Sequence, residues 1–228
     1  MMSDPMKEII DYLRRLQAHN ERTWFVDHKE EYVHCQGLFN SFVEQLITEI
    51  VKFDKSVAGN TAGSCTYRIY RDVRFSQDKS PYKTHLGAFI CPGGKKSGFA
   101  GYYFHVSVGG EGYPDAHMLA TGDYCFEPAV VKLLREDIAN GEGDFDQVVK
   151  TASAFALDRD NALTRNPKGY AMDAPYGGYL RLKTYCLNKY VDDDFILDSH
   201  VLEHTAALFR TTQPFLEYIN RAIAYARE

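Results

Sequence analysis

The hydrophobic period of this chain changes near residue 55 and changes back near residue 126. Up to Asp54, apolar residues recur three and four apart: Ile9, Ile10, Leu13 and Leu16, then Phe25, Tyr32, Cys35, Phe39, Phe42, Leu46, Ile47 and Ile50. That spacing puts them on one side of a helix. From Cys65 to Cys125, apolar and polar residues alternate, the period of a strand with two unlike faces. Helical spacing returns after Glu127. Strands grouped in one stretch pair with each other, whereas strands alternating with helices make parallel units. The order therefore predicts an α+β fold: a central antiparallel sheet of about four to six strands, flanked by N-terminal and C-terminal helices. We expect one domain over residues 1–228, helical over 1–55, mainly strands over 65–125, and helices with a long loop over 126–228.

Local signals refine this. Ser3-Asp4-Pro5 offers a capping side chain and a proline for a first helical turn, and Asn20 is a plausible stop. Gly37 is where the second helical pattern would break. Residues 56–64 are small and read as a loop. TYRIYRDVRF, THLGAFI, GYYFHVSVG and a weaker AHMLATGDY are the expected strands, the last two joined by the turn GGEGYP. Glu127-Pro128 opens a helix that Asn140-Gly141 ends, and a shorter helix covers Phe145 to Ala154. Residues 158–178 read as a long loop, and YLRLKTYCLNKYV as a strand pair or a strand and turn. Ser199 to Arg210 is helical, and Thr212 caps a separate last helix with Pro214 in its first turn.

Charge narrows the function. The net charge of −5 argues against general binding to nucleic acid or an anionic membrane. MMSDPMKEII has no basic segment followed by an apolar run, so no leader peptide is expected, and no apolar run reaches the ~18 residues that a spanning helix needs. The five cysteines are scattered, the closest pair 26 apart, with no C-x-x-C. They read as buried thiols in a reducing compartment, so a cytoplasmic location is expected.

Against that acidic background, RIYRDVRFSQDKSPYKTHLG (68–87) holds five cations and two aspartates. In an extended strand Tyr67, Ile69, Val73 and Phe75 share an apolar face, and Arg68, Tyr70, Asp72 and Arg74 the other. Arg71 falls on the apolar side, where a guanidinium needs a carboxylate, carbonyls, an anion, or a bulge that turns it outward. Asp78, Lys79, Ser80 and Lys83 follow in a turn. Arg68, Arg71, Arg74, Lys79 and Lys83 could together hold a phosphate or carboxylate, with Tyr70 and Tyr82 as walls. The plainer alternative is a surface of cross-strand ion pairs.

Other groups carry weaker signals. Asp115 and His117, with His105 across from them and His85 nearby, would suit a divalent metal only in one strand register, and a slip of one residue removes the site; we assign no metal. GGKKSG (93–98) lacks the spacing of a phosphate loop, and no hydrolase, zinc-protease or dinucleotide fingerprint identifies a cofactor. Asp192-Asp193-Asp194 reads as a turn.

Arg68-Ile69-Tyr70-Arg71-Asp72-Val73-Arg74-Phe75-Ser76 and Asp78-Lys79-Ser80-Pro81-Tyr82-Lys83-Thr84 resemble the signature of an uncharacterised family, domain of unknown function 2461. Trp24-Phe25, His28-Lys29, Tyr32, Gly101-Tyr102-Tyr103 before His105, and Pro167-Lys168-Gly169-Tyr170 look similar too, and the resemblance covers nearly the whole chain. Cys125-Phe126, before Pro128, departs from the pattern. The resemblance implies an intracellular protein and supplies no cofactor or catalytic residue.

Three functions fit. The first is a module that binds a phosphorylated or carboxylated small molecule at the Arg/Lys cluster. The second is an enzyme on a phosphoester or similar anion, with Asp72 or Asp78 as base or metal ligand and His105 as proton shuttle. It requires that the two aspartates are not both locked to arginines. The third is an interaction protein in which the cluster is a structural ion-pair network.

Overall fold

The computed structural model describes residues 4–141 and 143–228. Helix α1 (Pro5–Ala18) is opened by Asp4, whose carboxylate accepts from the Met6 and Lys7 N–H groups, with Pro5 where no N–H is needed. Ser3 lies outside the described residues. Helix α2 (Arg22–Asp27) and helix α3 (Lys29–Val51) are divided at His28, not at Gly37. His28 ends α2 by donating from Nδ1 to the Trp24 carbonyl at 2.8 Å. Gly37 continues inside α3, where nothing crowds it.

The sheet is antiparallel throughout, in the order β1-β2-β3-β5-β4. The strands are β1 (His85–Ile90), β2 (Gly101–Ser107), β3 (His117–Asp123), β4 (Ala156–Leu157) and β5 (Tyr185–Val191). The fold is α+β, with helices flanking the sheet. Three expected strands form; TYRIYRDVRF does not. Among the described residues its β-pairing is limited to isolated bridges, Thr66 to Ala88 and Tyr70 to Tyr82. Of its expected apolar face only Ile69 is buried, while Phe75 is 96% exposed. The reason is local. Asp72 Oδ1 accepts from the Arg74 N–H, and Asp78 Oδ1 from the Ser80 N–H, so the chain turns on its own side chains instead of a ladder. Residues 71–80 form an arm that projects from the sheet edge.

Alternation gives the sheet two unlike faces. Leu86, Ala88, Ile90, Tyr102, Phe104, Val106 and Leu119 are buried on one, beneath α1, α3 and α9 (Val201–Tyr225). Phe104 lies 4.7 Å from Phe42 and 6.2 Å from Phe39, ring to ring. This core runs as one cluster from Met6 to Ile223. The chain between β3 and α9 adds short helices: α5 (Pro128–Asn140), α6 (Asp144–Thr151), α7 (Gly177–Leu180) and α8 (Asp193–Ile196), after α4 (Ala62–Cys65) in the early loop.

The expected break at Thr212 is absent: α9 runs through it, with Pro214 inside. Thr212 does not cap. Its hydroxyl bonds the Phe209 carbonyl at 2.8 Å and lies 2.9 Å from the Thr121 hydroxyl. Phe209, Phe215, Leu216 and Ile219 are all buried, and their packing outweighs the proline's missing N–H. No helix of the described residues is long and apolar enough to cross a membrane.

Candidate functional site: the open face of the sheet

The opposite face of the sheet carries His85 and Gly87 from β1, Tyr103 and His105 from β2, and Met118 and Ala120 from β3. The register sets this directly: His105 stands opposite Gly87 on one side and Met118 on the other. Met118 and Ala120, with Cys186, form a small buried cluster separate from the helix-backed core, and Gly87 and His105 beside them are buried too. Tyrosines border this face. Tyr67 meets Tyr103 edge-on with centroids 6.4 Å apart, and Tyr113, from the β2–β3 loop, lies 5.5 Å from His105 and 6.4 Å from His85. Tyr113 is 57% exposed, so one side of its ring is open to a ligand.

A bonded chain lies under those rings. The Pro114 carbonyl can only accept, so His105 donates to it from Nε2 at 2.9 Å. His105 Nδ1 is then an acceptor, and the Tyr103 hydroxyl donates to it at 2.8 Å. The Ser107 hydroxyl donates to the same Pro114 carbonyl at 2.7 Å. His105 is fully buried and neutral: desolvation, offset in part by the bond to Pro114, brings its pKa down to about 4. Gly87 makes the chain possible, since a Cβ there would stand 2.6 Å from the Tyr103 hydroxyl. Both ring nitrogens of His105 are occupied, so it holds Tyr103 and the loop.

Lys83 and His85 border this chain. His85 and Gly87 share a side of β1, and Lys83, before the bend at Thr84, reaches the same neighbourhood through Tyr67, which meets Tyr103. The Lys83 ammonium sits 5.5 Å from the centre of the Tyr67 ring. Desolvation first, and then the charge of Arg68, lower its pKa, and no described carboxylate pairs with it. His85 packs against His105 with centroids 4.4 Å apart and the rings tilted by 35°, and has no hydrogen-bond partner among the described residues.

The remaining residues of the cationic stretch divide differently from the expected cluster. Arg71 bonds Asp78 and the Ser80 carbonyl (3.1 Å), with Ser76 Oγ at 3.5 Å, so its charge is satisfied within the arm. Arg74 holds Asp72 through two bonds, of 2.9 and 2.6 Å, at an exposed position. Lys79 donates to the Val73 carbonyl at 2.9 Å. Arg68 is exposed, and its charge reaches Lys83 and Asp72. Asp72 and Asp78 are both held by arginines and both titrate below the usual carboxylate range, Asp72 first through Arg74 and Asp78 first through Ser80. That removes the carboxylate base that the phosphoester enzyme needed there. Tyr82 is buried and stacks on Phe25 at 4.0 Å, with Tyr70 5.5 Å from it, so both rings turn toward the N-terminal helices and away from Lys83. The actual walls are Tyr67, Tyr103 and Tyr113.

The alternative metal geometry is lost to a slip of one residue. His105 faces Met118, and His117 lies on the helix side, 2.9 Å from Asp193. Asp193 is also bonded to Arg14 at 2.6 Å, and His117 and Arg14 hold its carboxyl below the usual range. The acidic run 192–194 thus caps α8 through Asp192 and ties it to the sheet through Asp193. A cleft of about 1150 Å³ opens beside this pair, lined by Arg14, Lys189, Glu111, Asp115, Asp192 and Asp193 among others. Its four carboxylates outnumber its two cations, which disfavours an anion.

Asn20 supports the site from outside it. Its amide donates to the Tyr82 carbonyl at 2.9 Å and accepts from the Tyr82 N–H at 3.1 Å, fixing the residue next to Lys83. No curated protein and no solved structure matches this chain. The model of a conserved hypothetical protein family, DUF2461, matches residues 8–218, and that span includes Asn20, the arm, Lys83, His85 and the whole sheet. This protein is a member of the DUF2461 family.

Proposed function

We propose that this protein binds a phosphorylated or carboxylated small molecule on the open face of the sheet, with Lys83 as its main cationic contact and Arg68 as long-range support. One observation carries the reading: Lys83 is a partly desolvated cation with no described carboxylate beside it. An ammonium in that state gains most from an incoming anion. Tyr67 and Tyr113 offer ring faces to the organic part of the ligand, which favours a flat or partly apolar one. Arg71, Arg74 and Lys79 are already paired and serve to shape the arm. A cytoplasmic location fits the five free thiols, four of them buried. The net charge of −5 keeps nucleic acid an unfavourable partner.

Thermal unfolding with a panel of phosphorylated and carboxylated metabolites tests this. At a hundredfold excess over Kd a binder should add about 2.7 kcal/mol to the wild type. Lys83→Met should abolish the response, and Arg74→Ala should keep it. An undiminished response in Lys83→Met overturns the reading.

A further inference from the structure

The proposed anion site holds a second group that stays unused in the free protein. His85 lies near Lys83, and its ring is half-buried against His105. His105 spends both nitrogens on Tyr103 and Pro114, so it offers His85 a packing surface and no hydrogen bond. The charged and titratable groups that face His85 are His105 from β2, Tyr113 from the β2–β3 loop, Lys83 from its own segment and Arg71 from the arm. None of them is a carboxylate.

We infer that His85 is the second anion ligand, and that it binds a tetrahedral oxyanion, phosphate or sulfate in class, as an imidazolium paired with Lys83. The inference rests on the proposed role of Lys83. Burial first, then the neighbouring His105, Lys83 and Arg71, push the free histidine's pKa down to about 3. An anion between Lys83 and His85 acts the other way, because an opposite charge favours the protonated ring. Between the free and the bound titration the complex holds a proton that the free protein lacks. Affinity therefore rises as pH falls through that interval.

Inorganic sulfate is the probe, since its charge is constant between pH 5 and pH 8. Calorimetric titration of the wild type should show affinity about tenfold or more higher at pH 5 than at pH 8, with a proton taken up on binding. His85→Gln should show a flat profile between pH 5 and pH 8. Ring signals of His85 in the wild type, followed by NMR, should move to imidazolium values as sulfate is added, a readout independent of how the variant folds. Sulfate binding with a flat wild-type profile, or an equal slope in His85→Gln, overturns the role of His85 and leaves Lys83 standing. No sulfate binding at any pH overturns both.

Discussion

Phe104 and His105 are neighbours on one strand, both fully buried, and they point to opposite faces of the sheet. Phe104 is surrounded by rings and aliphatic chains, where any fit of apolar volume stabilises. His105 is surrounded by polar groups, where only a complete set of hydrogen bonds avoids a penalty. One face supplies stability through area, the other supplies position through directed bonds. A site needs the second kind of burial, because it fixes where each polar atom stands.

Three experiments can break or sharpen that contrast. The largest effect belongs to the apolar face: Phe104→Ala should cost about 3–5 kcal/mol in denaturant unfolding and leave the pH dependence of stability as it was. A cost below about 1 kcal/mol would mean that this face is not where stability resides. Next comes acid. His105 binds a proton at about 6.5 when unfolded and at about 4 when folded, so its contribution is complete above the first value and drains away as pH falls toward the second. Over that window this group alone should remove about 3 kcal/mol, and His105→Gln should make the curve shallower by that amount, the remainder coming from His85 and other groups. Equal acid sensitivity in both proteins would show that the buried histidine does not control it. The smallest effect is at Asn20, where the two faces meet. Asn20→Ala should cost about 1–2 kcal/mol, the size of its two lost bonds, yet weaken oxyanion binding by loosening Tyr82 beside Lys83. Unchanged affinity would separate Asn20 from the site.

Where one physical preference dominates, the sequence can be read directly. β1, β2 and β3 are short, largely apolar runs bounded by turn residues, and all three form as expected. The arm alternates, but Asp72 and Asp78 turn it on itself, and short-range bonds of that kind leave no periodic trace. At Thr212 and Pro214 local signals pointed to a helix boundary, and contacts from distant parts of the chain overrode them. The cationic stretch was visible as a composition, but composition does not say which charges already have partners. On an apolar strand face Arg71 would need a carboxylate, carbonyls, an anion or a bulge; the strand does not form, and Arg71 finds a carboxylate and a carbonyl inside its own loop. His85 could have been singled out by parity, since it falls on the same side of β1 as Gly87. Asn20 left no signal, because its partner is 62 residues away.

The Pro114 carbonyl has two lone pairs, and His105 and Ser107 occupy both. For Tyr113 to swing aside, two bonds in a sparsely hydrated place would have to open together. If the proposed anion binds on this face, association should therefore proceed in a single kinetic step at a rate set by encounter, without a slow phase from reshaping the protein.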